Sequence, residues 1–255
     1  MRFASLGSGS RGNALLVEAG STRLLLDCGF GPREARLRLA RLGCEAESLA
    51  GIVVTHEHSD HIGGVVSLAA RYQLPVWITH GAFASALAGR GELPKLELID
   101  SHQPFAVGDL EVHPFPVPHD AAEPVQFIFS DGRRRLGVAT DLGGATPHVE
   151  RMLTGCDALV LECNYDEAML RQGNYPPHLK RRIAGRFGHL ENAAAAALLA
   201  ALDTGKLQHL IAAHLSQHNN APPLARSALA AALNCAPAWI GVADQEQGFD
   251  WRDLR

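Results

Sequence analysis

Four side chains able to bind a metal ion fall within six residues, directly after a short apolar strand predicted at Gly51–Thr55. They are His56, His58, Asp60 and His61. A loop that leaves a strand can turn His56 and His58 to one side, while the start of a helix carries Asp60 and His61 to the other. This spacing predicts two metal ions sharing one cluster, rather than a solvated polar loop.

Three more candidate ligands come directly after later apolar strands. They are His119, Asp141 and His214. Because active sites commonly form where strands end at the edge of a sheet, we expect these side chains to join the first cluster. Each of them alone is equally compatible with a satisfied histidine or a turn aspartate. Together the seven residues divide into two ligand sets, with Asp141 able to bridge them.

Such a centre would perform hydrolysis. Two ions about 3.5–4 Å apart can hold a bridging hydroxide and lower its pKa toward neutrality. Asp60 is also a candidate to steer the proton of that nucleophile. Phosphorus and carbonyl carbon are both suitable electrophiles, so the ligands alone leave the substrate open.

A second motif indicates a phosphorylated substrate. His189 lies just before an alanine-rich helix predicted at Glu191–Leu202, and the amino terminus of a helix favours phosphate. We predict that His189 and Asn192 are catalytic residues, which donate to a phosphoryl oxygen or protonate a leaving group. The alternative for Asn192 is that it only caps the helix.

A basic stretch between Arg171 and Arg186 carries five cations and no acid, among them Lys180 and Arg181. Such a stretch can follow a phosphate backbone, and the rings of Tyr175 and His178 could stack on an end base. A solvated helix face is the alternative interpretation.

The glycine-rich segment 7–13 lacks the Gly-Lys-Ser/Thr ending of a P-loop, and its glycines are better suited to a tight turn near the site. Ser8, Ser10 and Asn13 in this segment are weaker candidates for hydrogen bonds to a substrate phosphate.

Composition limits the class of protein. The 255 residues are 47% hydrophobic and 20% charged, with a net charge of −4, which is typical of a globular chain without a generally basic surface. No apolar run is long enough to span a membrane, and the amino terminus lacks a secretory signal. The five scattered cysteines contain no CxxC pair and favour a reducing compartment. We expect a cytoplasmic protein with one domain over residues 1–255; its oligomeric state is open.

Short strands dominate the first half of the chain, and strands alternate with helices in the second half. This pattern predicts an α/β fold with two sheets packed face to face and flanked by helices. Among the helices that bear on the site, one is predicted over His61–Tyr72 and one over Pro177–Arg186. The predicted strands are Arg2–Leu6, Ala14–Glu18, Thr22–Leu26, Gly51–Thr55, Val76–Thr79, Phe105–Val107, Leu110–Pro116, Val125–Ser130, Arg134–Ala139, Asp157–Glu162, Leu207–Ala212 and Ala238–Val242.

The ligand pattern and its order along the chain resemble the metallo-β-lactamase fold superfamily of metal-dependent hydrolases. That resemblance implies a four-layer αββα sandwich. It also implies that Asp27 supports the loop of the first ligands. The ligand sets implied by the resemblance are His56, His58, His119 and Asp141 for one ion, and Asp60, His61, Asp141 and His214 for the other.

Finer motifs resemble the YycJ-like (WalJ) branch of that superfamily, which is associated with nuclease activity on DNA, including 5′-to-3′ exonuclease action. The branch has serine where Glu191 stands, and an acidic side chain there would weaken a phosphate contact. The motifs are Gly7–Asn13, Leu161–Asp166, Gly188–Asn192, Ala213–Ser216 with Asn219–Asn220, and Ala243–Gly248.

Two divalent ions are therefore the expected cofactors, with zinc first and manganese or iron as alternatives. The expected partner is nucleic acid or another phosphodiester, with no membrane. A small-molecule hydrolase acting on a cyclic phosphodiester, a thioester or a lactone is the alternative function. A metal-stabilised sensor or scaffold without turnover is the third.

Overall fold

The computed structural model describes residues 1–87 and 93–255, and it contains two mixed sheets of seven strands each. In the first sheet the strands lie in the order 14-1-2-3-4-5-6, antiparallel from strand 14 to strand 3 and parallel from there to strand 6. Its strands are β1 (Arg2–Gly7), β2 (Ala14–Ala19), β3 (Thr22–Leu26), β4 (Gly51–Val53), β5 (Pro75–Thr79), β6 (Lys95–Ile99) and β14 (Phe249–Asp253).

The second sheet is built in the same way from the later part of the chain. Its order is 13-12-11-10-9-8-7, with antiparallel pairs from strand 7 to strand 10 and parallel pairs beyond. Its strands are β7 (Phe105–Val107), β8 (Leu110–Pro116), β9 (Val125–Ser130), β10 (Arg135–Ala139), β11 (Ala158–Glu162), β12 (His209–Ala213) and β13 (Gly241–Val242).

Helices cover the outer face of each sheet. Three of them, α1, α3 and α4, contribute buried side chains against the first sheet, and α5, α8 and α9 do so against the second. None of the helices in the described ranges is long and apolar enough to cross a membrane. The helices are α1 (Pro32–Arg41), α2 (Ser59–Ile62), α3 (Val65–Tyr72), α4 (His80–Ala86), α5 (Pro147–Leu153), α6 (Glu167–Gln172), α7 (Pro177–Ile183), α8 (Asn192–Ala201) and α9 (Pro222–Leu233), with short 3₁₀ turns at Ala46–Ser48 and Pro237–Trp239.

Alternating apolar residues in the strands produce the layers. In β2, Leu15 and Val17 face the second sheet, while Ala14 and Leu16 face the helices, because successive strand residues point to opposite faces. Three apolar clusters result, one between the sheets and one under each helical layer. The predicted α/β fold, a four-layer αββα sandwich of the metallo-β-lactamase type, is thereby confirmed.

The predicted helix His61–Tyr72 is two helices, α2 and α3. The chain breaks at Gly63 and Gly64, where the amide of Gly64 donates to the carbonyl of Cys28. A Cβ at Gly64 would lie 1.8 Å from the carbonyl oxygen of Phe30, so only glycine allows this approach. The short first helix is what fixes the backbone of the ligand loop.

Candidate metal centre

The seven predicted ligands converge at the edge where strands of both sheets end. His56 follows β4 in the first sheet, whereas Asp141 follows β10 and His214 follows β12 in the second. Asp141 and His214 both adopt left-handed backbone conformations, each with φ of 54°. Non-glycine residues pay a conformational cost there, and such residues concentrate at functional sites. The sharp turn lets each side chain point inward directly after its strand.

Each of three ligand histidines is held through Nδ1, which leaves Nε2 to face the cluster. His61 Nδ1 lies 2.8 Å from Asp27 Oδ2, and His119 Nδ1 lies 3.0 Å from the carbonyl oxygen of Gly188. His56 Nδ1 lies 2.9 Å from the hydroxyl of Thr55, which itself donates to Asp27. Partners of this kind fix the tautomer and orientation of metal-binding histidines.

Asp27 supports the ligand loop through several bonds at once. It is buried, with φ of 59°, and its Oδ1 accepts a hydrogen bond of 2.8 Å from the amide of Thr55. Its Oδ2 contacts both the Thr55 hydroxyl and His61. This geometry is the supporting role that the resemblance implies for Asp27.

His58 and His119 face each other in a way that calls for a cation between them. The Nδ1 of His58 lies 3.3 Å from the Nε2 of His119. The opposite nitrogen of each ring lies against a carbonyl oxygen, that of Asp120 for His58 and that of Gly188 for His119. In neutral rings the two facing atoms are therefore both lone pairs, which repel each other but can share a metal ion.

The remaining donors complete a second group around Asp60. His61 Nε2 lies 2.9 Å from Asp141 Oδ2, and His214 Nε2 lies 3.4 Å from Asp60 Oδ2. Donor atoms within 4.8 Å of one another form the sets His56, His58 and His119; His56, His61 and Asp141; Asp60, His61 and His214; and Asp141, Glu162, His189 and His214. All seven predicted ligands belong to these sets.

The donor set suits a divalent ion. The Nε2 of His56 is buried and has no hydrogen-bond partner among the described residues, although an unpaired buried nitrogen is costly. Groups of three or four nitrogen and carboxylate donors are the usual ligands of zinc, and they also bind manganese or iron. These residues therefore fit a metal centre.

The pKa shifts of the predicted ligands also indicate a site for positive charge. Burial lowers the pKa of His56 well below its usual range. At His61 burial acts in the same direction, but Asp141 and Asp27 outweigh it and hold the pKa well above its usual range. At His214 the nearby carboxylates overcome burial and raise the pKa to about 10. The carboxylates thus draw positive charge into the centre, as protons when no cation supplies it.

Glu162, at the end of β11, is a member of the site that the sequence analysis did not single out. Its side chain is fully buried, and Oε2 accepts from the amides of Leu142 and Leu190. Its Oε1 lies 2.8 Å from His189 Nδ1 and 3.3 Å from His214 Nδ1. A signal was present, since Glu162 is a polar residue that ends an apolar strand, as Asp141 is.

Ser8 and Asn13 pack behind the metal ligands and are buried. The Ser8 hydroxyl accepts from the amide of His214 and donates to Asn13 Oδ1. The Nδ2 of Asn13 lies 3.0 Å from His61 Nε2 and 3.3 Å from Asp60 Oδ2. Their contacts are with the ligands, whereas the third candidate of this segment, Ser10, lines the cavity beside the centre.

That cavity has a volume of about 370 Å³ and opens onto the metal ligands. One wall carries the site residues His58, Asp60, Asp141 and His214, together with His189, whose Nε2 makes no hydrogen bond to another described residue. The segment around α7 contributes a second part of the lining. Its lining residues are Tyr175, Leu179, Arg182 and Ile183, and Ser10, Ser59, Asp120 and Gly188 complete the cavity.

Like Ser8 and Asn13, three further residues predicted to act on the substrate lie outside this lining, and so does Glu191. The side chain of Asn192 pairs with Asn220 through two hydrogen bonds of 2.9 Å. Lys180 donates to the carbonyl of Arg171, and Arg181 is exposed. Glu191 precedes α8 without lining the cavity, so its charge does not face a bound phosphate there. The cation that lines the cavity is Arg182.

Comparison with known proteins agrees with this architecture. Residues 22–214 match the model of the β-lactamase superfamily domain. An exodeoxyribonuclease YycJ of Bacillus anthracis is 37% identical over 249 residues, which cover 95% of this chain and 93% of the relative. An exodeoxyribonuclease WalJ of Streptococcus pneumoniae serotype 2 is 29% identical over 94% of this chain and 91% of its own. The metallo-β-lactamase fold protein YhfI of Bacillus subtilis matches in structure with a TM-score of 0.76 at 16% identity, covering 99% of each chain.

Proposed function

Because this chain belongs to the β-lactamase superfamily as a YycJ-like, metal-dependent hydrolase, we propose that it is an exodeoxyribonuclease that uses two divalent ions. The observation that carries this proposal is the convergence of seven donors beside a cavity that also presents Arg182 and His189. A metal centre, a cation and a histidine on one cavity are the groups that phosphodiester hydrolysis requires.

The proposed ligand sets are those that the resemblance implies, and the grouping of the donor atoms supports them. When bound, the ions would polarise a phosphoryl oxygen and lower the pKa of a water molecule toward neutrality. Asp141 lies between the two groups of histidines, where one carboxylate can serve both. One set is His56, His58, His119 and Asp141, and the other is Asp60, His61, Asp141 and His214.

Two residues that line the cavity have roles in moving protons. Asp60 keeps part of its carboxylate exposed, so it can orient and accept the proton of the attacking water. His189 is held through Nδ1 by Glu162. Burial lowers the pKa of His189, but this carboxylate together with Asp141 outweighs burial and raises that pKa. In the protonated ring, Nε2 can donate a hydrogen bond to a phosphoryl oxygen or a proton to the leaving oxygen. Asn192 is paired with Asn220 and takes no part in this proposal.

The proposal is tested by digesting 5′-labelled duplex DNA in the presence of manganese or zinc. For digestion from the 5′ end we expect the label to be released directly as a short product, whereas digestion from the 3′ end would leave a ladder of shortened labelled strands. The activity should be lost in Asp141→Ala, because that carboxylate is proposed to serve both ligand sets. Product lengths on denaturing gels give the polarity of digestion. Elemental analysis of the same preparations identifies the bound metal and shows whether the variant has lost it.

The same preparation separates the competing functions. Hydrolysis of a thioester or lactone by metal-loaded protein that leaves every phosphodiester intact would replace the nuclease with a small-molecule hydrolase. A rise of melting temperature with metal and no turnover of any ester would indicate a metal-stabilised scaffold. An Asp60→Ala or Asp141→Ala variant with a near-normal rate would contradict the ligand roles.

A further inference from the structure

The short helix α7 presents an apolar face to the cavity and buries none of its residues. Leu179 and Ile183 are one helical turn apart and line the cavity together, with Tyr175 just before the helix on the same wall. All three are partly exposed. A helix usually gains its stability by burying an apolar face, so this one is suited to being covered by something bound in the cavity.

Charge complementarity identifies the occupant. The same cavity is lined by four of the predicted metal ligands, which would hold a phosphate through their ions. A ligand that meets both parts of the lining therefore needs a phosphate and a flat apolar group. A nucleotide has this arrangement, and bases commonly stack on aromatic and apolar side chains.

Arg182 of α7 lines the same cavity and is poised to bind phosphate. Its Nε donates to Asp120 Oδ2 at 2.6 Å, and its two terminal nitrogens have no hydrogen-bond partner among the described residues. Asp120 Oδ1 in turn lies 3.5 Å from His119 Nε2, so the ion pair links Arg182 to the metal ligands. A guanidinium fixed at Nε still offers donors in the planar geometry that matches phosphate.

We propose that this cavity binds one unpaired nucleotide of a nucleic acid strand, with its base on Tyr175 and Leu179 and its phosphate between Arg182 and the metal centre. The inference rests on the proposed nuclease function and adds the residues that recognise the substrate. The cavity volume of about 370 Å³ lies within the range of small-molecule pockets and leaves no room for a duplex. A strand end must therefore separate from its complement before it enters.

Two chromogenic diesters distinguish base recognition from the hydrolytic chemistry. Thymidine 5′-(p-nitrophenyl phosphate) carries a base, whereas methyl p-nitrophenyl phosphate does not. In both, water attacks phosphorus and the bond to p-nitrophenolate breaks, so one absorbance assay serves for both. We expect the wild-type protein to have a kcat/KM at least tenfold higher for the thymidine ester.

Substitutions then assign that preference to the wall residues. Tyr175→Ala should lower kcat/KM for the thymidine ester about tenfold and leave the methyl ester unchanged, because stacking on one aromatic ring contributes about that factor. Tyr175→Phe should retain the wild-type preference. Arg182→Gln should lower kcat/KM for both esters about tenfold or more, because both contain the phosphate. Arg151→Gln, an equal loss of charge on the exposed side of α5, is the matched control and should match wild type.

Binding of thymidine 5′-monophosphate, followed by isothermal titration calorimetry, gives a readout that needs no turnover. Its Kd should rise about tenfold in Tyr175→Ala and in Arg182→Gln, and stay unchanged in Arg151→Gln. Equal kcat/KM for the two esters, or a preference that survives Tyr175→Ala, would overturn the inference while DNA digestion continues. Absence of hydrolysis of DNA and both esters by the metal-loaded wild type would instead remove the nuclease proposal, and this inference with it.

Discussion

Asp27, Asp141 and His214 share a local design, since each lies one or two residues after a strand and has a positive φ between 54° and 59°. Aspartate and histidine tolerate this conformation better than branched residues do, so side-chain type and backbone turn are matched. The polar residue after an apolar strand was the signal that identified the predicted ligands. The same rule applies to Glu162, but its partners His189 and His214 are distant in sequence, and only the fold shows the contacts.

Glu162 should control metal affinity through His214. Its Oε1 holds the Nδ1 of that ligand. In Glu162→Gln an amide nitrogen, which cannot accept a hydrogen bond, replaces one carboxylate oxygen. We expect the Kd for zinc or manganese to weaken about 10- to 100-fold, as is typical when the partner of a ligating histidine is lost. Chelator competition measures the Kd. Glu47→Gln, at an exposed position, serves as control, and unchanged affinity in Glu162→Gln would mean that His214 is oriented by other contacts.

His189 should matter for the rate and not for metal content. Its Nδ1 is held by Glu162 at 2.8 Å, which positions the ring on the cavity wall beside the predicted ligands. Because general acids typically contribute about 10²–10⁴-fold, His189→Ala should lower kcat by at least about 100-fold while both metals stay bound. Measurement of kcat and of metal content on the same sample of the variant tests this prediction. Loss of one equivalent of metal would instead place His189 among the ligands.

The part of the cavity lining that α7 contributes shows what residue patterns alone leave open. The basic stretch predicted cations near the phosphate and favoured Lys180 and Arg181, whereas the residue of the stretch that lines the cavity is Arg182. In α7, residues three and four positions apart share a face, so Arg182 joins Leu179 and Ile183 on the cavity side. The sequence of such a short helix does not show which of its faces is turned toward the site. That depends on packing between distant parts of the chain.

At the scale of elements, the central strands were predictable, whereas the edge strands of the first sheet were not. The edge strands of the second sheet were predictable too, since β7 has the predicted bounds and β13 is the last two residues of the predicted strand Ala238–Val242. β3 has the predicted bounds, and β2 extends one residue beyond them. β6 and β14 lie at the two edges of the first sheet and were not predicted. Edge strands have only one neighbour and tolerate charged residues, so Lys95–Ile99 and Phe249–Asp253 interleave charged with apolar residues and lack the continuous apolar run of central strands such as β4.

Strand pairing in the first sheet also creates an ion cluster that can be tested away from the site. Glu18 of β2 lies opposite Arg2 of β1 and Arg23 of β3, and its oxygens accept bonds of 2.6 and 2.7 Å from their Nε atoms. Burial raises the pKa of this carboxyl, but the two arginines outweigh it and lower the pKa below 4.5. Cross-strand pairs of opposite charge stabilise sheets, so this contribution belongs to the pairing of three strands.

Glu18→Gln should lower the free energy of unfolding by about 1 kcal/mol at pH 7. Because the folded pKa lies below the unfolded one, the stabilisation is present above pH 4.5 and is lost as the pH falls through the folded pKa. Urea unfolding at several pH values should show the wild-type advantage at neutral pH and its narrowing in acid. An advantage that persists unchanged in acid would show that charge is not its source, and Glu47→Gln supplies the baseline.

At the scale of the whole molecule, the centre joins the two halves of the sandwich. Asp27 and the loop after β4 belong to the first sheet, whereas the turns after β8, β10 and β12 belong to the second. The donors of one ligand group, such as His61 and Asp141, thus come from opposite sides of the central apolar layer. The packing of the two sheets must be complete before these donors meet. Metal binding and folding should consequently be coupled.

Removing the metal should therefore lower the melting temperature of the whole protein. A ligand that binds only the folded state at 100 times its Kd contributes about 2.7 kcal/mol, which for a chain of this size corresponds to a shift of about 5–10 °C. Calorimetry of metal-loaded and chelated protein measures the shift, and added metal should restore it. Asp141→Ala, which removes the carboxylate shared by both ligand groups, should show a much smaller response to metal. An equal response in this variant would mean that the ions bind elsewhere, because a centre that links the two sheets cannot lose its shared ligand without losing affinity.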